Sequence, residues 1–357
     1  MGMPSININF SELAASVIKR GERGIVAMIL KDDATVTNPI IITSVTDIPD
    51  ALSAANKEQI KLALMGYVHA PKQVIVYVIA EPEVGETADY TSALNYFKTV
   101  KFDYLVAPTA TTDAVTAELV AYVKAEREAG KLIKAVLPNT VADTEGVINY
   151  ATSAVYVDSA VYTTEQYCAR IAGILAGTPL EISATYAPLV EATDCTRLSK
   201  ADMDAAVDAG KLIVWFDGEK VKIGRAVNSL TTLTDAKNTQ FQKIKIVETM
   251  DIINDDLKKS IEDNYIGKYP NTYDNKCLLI SAVGNYFESL VNDDVLSSYT
   301  IGIDIDANKA YLRGKGVDVD NMSDDEIKVA DTGSNVYLTA TVHILDAIED
   351  VTLNIAI

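Results

Sequence analysis

The last 22 residues of the chain, Val336 to Ile357, constrain its fold more than any other stretch. Val336, Leu338, Ala340, Val342 and Ile344 alternate with Tyr337, Thr339, Thr341 and His343. After a short polar break, Val351, Leu353, Ile355 and Ile357 alternate with Thr352, Asn354 and Ala356. Successive side chains of a strand point to opposite faces, so this is the pattern of two half-buried strands. Near the other terminus Ile6, Ile8 and Phe10 alternate with Ser5, Asn7 and Asn9 in the same way. A terminal strand is an aggregation hazard unless some sheet edge receives it. Either both ends return to the chain's own sheet, as docked termini often do, or they are donated to neighbouring copies and make the protein a link in an assembly. The alternation alone favours the first arrangement.

The rest of the composition narrows the class. A length of 357 residues suggests two or three domains, and an apolar fraction of 48% is enough for ordinary buried cores. No window approaches the roughly 18 uninterrupted apolar residues of a membrane span. The opening MGMPSININFSEL has no basic segment followed by an apolar one, so it does not read as a secretory signal. Cys168, Cys195 and Cys277 lie too far apart for a disulfide framework or a metal clip, which fits synthesis in a reducing cytoplasm. A formal charge of −19 argues against direct binding of nucleic acid or anionic membranes. The 18 Tyr against 6 Phe and 1 Trp suit surfaces that are part buried and part wet, including interfaces.

Along the chain, candidate strands at Ile25–Leu30, Ile40–Ile42 and Val74–Ile79, with a short helix at Lys57–Gly66, make residues 24–86 a small strand-rich domain. EPEVGET at Glu81–Thr87 reads as a linker. Helices at Thr87–Val100, Asp113–Ala129, Thr164–Ala176 and Ser199–Ala209 then alternate with strands at Tyr104–Ala107, Leu132–Leu137, Ala154–Val157 and Leu212–Phe216. That alternation implies βαβ units and a largely parallel sheet. Glu128–Leu137 (EAGKLIKAVL) and Asp208–Phe216 (DAGKLIVWF) repeat one local solution, a glycine C-cap followed by lysine beside exposed helix carbonyls. Asp217-Gly218 predicts a hairpin turn. Helices at Asn238–Tyr265 and Asn275–Leu290, strands at Tyr299–Ile305 and Ala310–Leu312, and an acidic loop at Asp318–Glu326 give the remainder an α+β character.

Residues that carry chemistry are scarce. His69 and His343 are the only histidines, and neither sits in a pattern that would serve a nucleophile. GxSxG, GxxxxGK[ST] and GxGxxG are all absent. Asp304, Asp306 and Asn308 resemble the start of a calcium loop, but Lys309 replaces its glycine and Lys315 its closing glutamate. The reading is of a chain with no cofactor and no metal. An acid-catalysed hydrolase on the α/β part and a monomeric binding module are the rival readings.

GERGIVAM (Gly21–Met28), RIAGILAGTPLEISATY (Arg170–Tyr186), DAGKLIVWFDGEKVKIGRAVNSLTTLT (Asp208–Thr234), FQKIKIVETMDIINDDLKKSIEDNYIGKYPNTYDNK (Phe241–Lys276) and the closing VHILDAIEDVTLNIAI resemble the contractile tail sheath proteins of phages. The short forms found in phages and phage-tail-like bacteriocins of Gram-positive bacteria are most similar. The resemblance implies an α/β central domain of subtilisin-like architecture without a triad, a small β-rich N-terminal part, and an α+β C-terminal domain with exchanged terminal strands. It divides the chain into an N-terminal arm (1–23), a small domain (24–86), the α/β domain (87–234), an assembly domain (235–334) and a C-terminal arm (335–357). It implies a structural subunit, not an enzyme, that polymerises around an inner tail tube and contracts to drive the tube through a bacterial envelope.

Implied partners are other copies of the chain, the tube protein, and baseplate and tail terminator proteins. Implied location is assembly in the bacterial cytoplasm, followed by release with the tail particle. The arms would carry the exchanged strands: Ile6, Ile8 and Phe10 at one end, and Val336, Leu338, Ala340, Val342, Ile344, Val351, Leu353 and Ile355 at the other. That implication reverses the preference drawn from alternation alone. In this family the C-terminal domain lies against the tube. Lys243, Lys245, Lys258 and Lys259 on the Asn238–Tyr265 helix are therefore candidate tube contacts, unless they merely balance Glu248, Asp255, Asp256 and Glu262 on a solvated helix.

Overall fold

A computed structural model describes residue 18, residues 23–83 and residues 85–357. The predicted strand of Ile6, Ile8 and Phe10 lies outside the described residues. Two compact units emerge: one joins residues 23–251 to Asp346–Ile357, and the other comprises Ile252–Leu345.

The larger unit begins with β1 (Ile25–Lys31), β2 (Ile40–Ile42), α1 (Ala54–Leu64), β3 (Gln73–Ile79), α2 (Thr91–Lys98), β4 (Tyr104–Val106) and α3 (Thr116–Glu128). It continues through β5 (Lys134–Pro138), β6 (Val147–Tyr150), β7 (Ala154–Val157), β8 (Ala160–Thr163), α4 (Thr164–Ala176), β9 (Pro188–Leu189), β10 (Asp194–Cys195) and α5 (Lys200–Asp208). β11 (Lys211–Leu212), β12 (Val214–Phe216), β13 (Val221–Ile223) and the first turns of α6 (Ile244–Asn264) complete it. One sheet runs in the order β11, β6, β5, β4, β1, β3, β2, parallel except where β2 lies antiparallel to β3.

The parity of β1 shows how this sheet is buried. Ile25, Ala27 and Ile29 join the core with Phe97 of α2 and Leu119 of α3, while Val26, Met28 and Leu30 join the opposite core with Ile60 of α1 and Ile171 of α4. A parallel sheet covered on both faces needs apolar residues at successive positions, which is why β1 and β3 read as unbroken runs. The glycine C-caps take the expected left-handed backbone, with φ of 85° at Gly130 and 67° at Gly210.

Several expectations need correction. Residues 24–86 are not a separate domain: β1 lies between β3 and β4 in the middle of the common sheet. The predicted strand Leu212–Phe216 is two strands, because β11 pairs with β6 while β12 turns away to form the Asp217-Gly218 hairpin with β13. β6 and β8 were not foreseen. Each is four residues long; β6 takes its definition from β5 and the distant β11, whereas β8 closes a tight hairpin with β7.

In the smaller unit, α6 runs on to Asn264 and is followed by α7 (Tyr273–Asn292), β14 (Leu296–Ile303), α8 (Ile305–Gly314), α9 (Asp324–Val329) and β15 (Leu338–Ile344). Val283, Tyr286, Phe287 and Leu290 are the buried side of α7. The Phe287 ring meets Tyr299 of β14 at 5.5 Å. Ala310–Leu312, expected as a strand, lies inside α8. The carboxylate of Asp304 accepts from the Ala307 amide at 2.8 Å, so the residue that resembled a calcium ligand is a helix N-cap. Among the described residues no helix is long and apolar enough to cross a membrane, and no cluster of His, Cys, Asp and Glu could hold a metal ion.

The glycines of RIAGILAG have a physical role. α4 opens with a capping box between Thr163 and Gln166 and passes α1 at Gly173. A Cβ there would lie 2.1 Å from the Ala63 carbonyl oxygen, and one at Gly177 would lie 2.0 Å from that of His69. Both obstacles are backbone, so neither yields as a side chain would. Gly173→Ala is expected to destabilise the chain by about 1–3 kcal/mol through overpacking, measured as a lower urea midpoint at unchanged slope. An unchanged midpoint would mean the helices separate freely.

Candidate assembly interface

The smaller unit presents an incomplete sheet. β14 and β15 pair antiparallel from Leu296 opposite Ile344 to Ile303 opposite Leu338, with an irregularity between Leu296 and Ser298. Among the described residues this sheet has two strands only, so each exposes one unpaired edge. Two strands alone are marginal in water, and an open row of N–H and C=O groups is a template for a further strand. This corrects the expected arm: Leu338, Ala340, Val342 and Ile344 pair within their own chain, because β14 offers a complementary alternation. Val336 precedes the paired stretch.

The larger unit presents a candidate for such a strand. Val351, Leu353 and Ile355 are 79%, 77% and 76% exposed, and the intervening residues are exposed too. Val351–Ile357, expected as a strand, has no strand pairing in the isolated chain. Its sequence contains no ionisable side chain. The residues before it are held firmly. Asp346 pairs with Lys243, and Asp350 accepts from Arg225 at 2.6 Å. Glu349 Oε1 accepts from Thr185 Oγ1 at 2.5 Å and Ser183 Oγ at 3.3 Å. Its Oε2 lies 3.6 Å from Arg225 Nε and 3.9 Å from Lys243 Nζ, within ion-pair range though beyond hydrogen-bond distance.

The first turns of α6 supply a second set of ion pairs, buried against the sheet. Ile244, Glu248 and Asp251 share one helix face by spacing. Glu248 receives Arg23 at 2.9 Å, Lys134 at 3.1 Å and the Tyr104 hydroxyl. Asp251 is gripped in a bidentate pair by Arg127 at 2.9 and 3.0 Å and by Lys134 at 2.8 Å. Burial acts to raise the pKa of Glu248, but Lys134, Arg23 and Tyr104 outweigh it and hold the carboxyl below its ordinary range. Asp103 runs the other way: burial and the charge on Glu248 push its pKa up, although it accepts the Gly24 and Ile25 amides at 2.7 and 2.8 Å.

The four lysines do not form one basic face. Lys243 is engaged by Asp346, and Lys245 is only 6% exposed. Burial lowers the pKa of Lys245 while Asp346, Glu181 and Glu349 pull it upward. Only Lys258 and Lys259 are exposed. Of their supposed balancing acids, Glu248 is buried in the cluster just described and Asp256 accepts from the Tyr286 hydroxyl at 2.8 Å. His69 and His343 are exposed. Burial raises the thiol of Cys168 well above its usual range and that of Cys195 to about 11, which suits packing and not reactivity.

At the carboxyl ends of β1 and β4, where parallel sheets often bind ligands, the acids are already satisfied. Asp32 accepts from the Ser53 amide at 2.9 Å and from Asn56 Nδ2 at 2.7 Å. Asp113 accepts from Lys31 at 2.6 Å and from the Tyr90 hydroxyl at 2.8 Å. An open cleft of about 460 Å³ beside α5 is lined by Tyr186, Met203 and Trp215, and by Thr185, Arg225 and Glu349 of the contacts described above. Sequence reading missed Arg225, Lys134, Arg127 and Glu349. A signal existed for Lys134, a charge set among the apolar residues Ile133, Ala135, Val136 and Leu137.

Comparisons with known proteins bear on the family and the fold. Residues 84–229 match the family described as phage tail sheath protein central domain, and residues 236–357 match phage tail sheath C-terminal domain. The chain is 42% identical over 361 aligned residues to the tail sheath protein of Clostridium phage phiCD119, covering 99% of both. Its fold matches a sheath tail protein of Desulfitobacterium hafniense with a TM-score of 0.71 at 22% identity, covering 85% of this chain and 94% of that one. It also matches the helical sheath of the anti-feeding prophage in its contracted state, with a TM-score of 0.71 at 13% identity, covering 100% and 99%.

The buried pairs generate a pH prediction. A carboxyl whose folded pKa is depressed contributes its stability above its unfolded value of about 4.3 and loses it as pH falls through the lower folded value. Glu248→Gln is expected to cost about 3–5 kcal/mol at pH 7, because Arg23 loses its buried carboxylate and Lys134 one of its two. The gap between variant and parent should narrow below about pH 4. Urea unfolding at pH 7 and pH 3 tests this, and a gap equal at both values would rule the charge out as its cause.

Proposed function

Because the chain belongs to the phage tail sheath protein family, we propose that it is a structural subunit that polymerises around an inner tail tube and contracts to drive that tube through a bacterial envelope. The observation that carries the reading is that the chain holds both an exposed, alternating segment without ionisable side chains, Val351–Ile357, and a two-stranded sheet whose outer edges are unpaired among the described residues. The segment has seven residues, as does β15, so one copy's segment can span the sheet of another. Backbone bonds then supply the joint, and Val351, Leu353, Ile355 and Ile357 supply apolar contact on one face. A contact in which each copy gives to the next without closing propagates as a helix or stacked rings. In this reading the strand joints persist during contraction while the bodies slide between two packings, whose energy difference does the work.

The same reading gives the remaining partners as the tube protein, baseplate proteins and a tail terminator, with assembly in the bacterial cytoplasm before release. No catalytic step is assigned. Support comes from the satisfied carboxylates at the sheet's carboxyl ends and from the two exposed histidines.

Deleting Val351–Ile357 is expected to leave the thermal melting of the isolated chain within a few degrees of the parent and to abolish long polymers in sedimentation and negative-stain images. Full-length tubes from the truncated chain would sink strand donation. For the tube, the surviving candidates are Lys258 and Lys259. Reversing both to Glu is expected to spare polymerisation and weaken co-assembly with tube, most at low salt where charge is least screened. Unchanged co-assembly would remove α6 from consideration.

A further inference from the structure

The residues that precede the exposed segment are arranged against their hydropathy. Ile348 is 90% exposed, whereas the side chain of its neighbour Glu349 is only 7% exposed. Apolar burial would choose the opposite orientation. The chain is therefore turned by its ion pairs: Asp346 to Lys243, Glu349 to Thr185 and Ser183 with two cations beside it, and Asp350 to Arg225. Thr185 is itself fixed, since its hydroxyl accepts the Ala226 amide at 3.0 Å. Lys243 stands at the start of α6, the same stretch whose Glu248 holds Arg23 just ahead of β1. Arg23 near the start of the larger unit and Asp346, where the chain returns to it, are thus both fixed by charge to one segment.

We propose that Arg225 and Lys243, with Thr185, form an ionic latch on Asp346–Asp350 that positions Val351–Ile357 for donation to a second copy of this chain. The inference rests on the strand-donation reading and adds what aims the strand. A tail held at its base gives up less conformational freedom on pairing than a loose one, so a latched donor joins its neighbour at lower subunit concentration. The latch also leaves Ile348 facing outward, exposed like Val351, Leu353 and Ile355.

The test uses the full chain and measures the subunit concentration needed for polymerisation, by sedimentation and negative stain. Asp346→Asn with Glu349→Gln, and separately Lys243→Asp, are expected to raise it roughly tenfold, equivalent to about 1.4 kcal/mol per joint. The exchanged pair Lys243→Asp with Asp346→Lys restores the attraction with reversed polarity and is expected to return within about threefold of the parent. Each latch variant should still be incorporated into parent polymers, because its β14–β15 edge remains able to accept a strand; a misfolded chain would stay out. An unaltered polymerisation threshold in the neutralised variants, or no recovery in the exchanged pair, overturns the latch. Normal polymers from a chain lacking Val351–Ile357 instead overturn strand donation itself, which separates the two failures.

Discussion

The pairing of Glu248 and Asp251 with Arg23, Lys134 and Arg127 is the constraint on which the larger unit depends. Charges so deeply placed are tolerated only when every one is matched, since an isolated ion in an apolar interior carries a desolvation cost of several kcal/mol. That demand makes the cluster specific. The first turns of α6 can dock on the sheet in one register only, the one that brings both carboxylates to Lys134 of β5, Arg127 of α3 and Arg23 just ahead of β1. A purely apolar face would have allowed sliding by a turn, and the small residues of the neighbouring α1–α4 crossing leave little tolerance for a shift.

Two kinds of contact divide the work of the chain. Inside the larger unit, apolar packing on both faces of the parallel sheet fixes the body, with close glycine approaches at Gly173 and Gly177. Toward the exposed segment, ion pairs at the surface take over, and these are individually weak and reversible. The β14–β15 sheet stands between these extremes: α7 covers part of it, yet its outer edges have no partner among the described residues. A body that is rigid and a joint that is unfinished is the combination expected of a unit of assembly.

Much of the architecture was legible because the parallel sheet writes itself into sequence as apolar runs of fixed length. α4 was read to the residue, its end marked by Gly177 and Pro179, and the structure adds the Thr163–Gln166 capping box at its start. Errors fell where a local pattern had two physical meanings. Asp304 looked like the first ligand of a calcium loop but serves as a cap, and the helix it opens absorbed a predicted strand. Leu212–Phe216 looked like one strand because apolar runs do not show where a chain changes sheets. The candidate interface was half legible. Val351–Ile357 declared itself by alternation, whereas Arg225, Lys243 and Glu349 are brought together by long-range folding that no spacing records. The lysines of α6 were grouped by charge alone, and burial of Lys245 separated them.

The absence of charge in Val351–Ile357 has a consequence for how copies of this chain meet. The bodies carry a formal charge of −19 each and repel over a distance set by ionic strength, about 10 Å at 0.1 M salt. In the strand-donation reading the backbone joint between copies, by contrast, contains no ionisable side chain, so salt has little hold on the joint itself. In that reading the medium governs the spacing of neighbours, and it touches their connectivity only through the ion pairs at the base of the segment. A polymer built as proposed would behave as a chain of mutually repelling beads on uncharged hinges, free to change its pitch without coming apart.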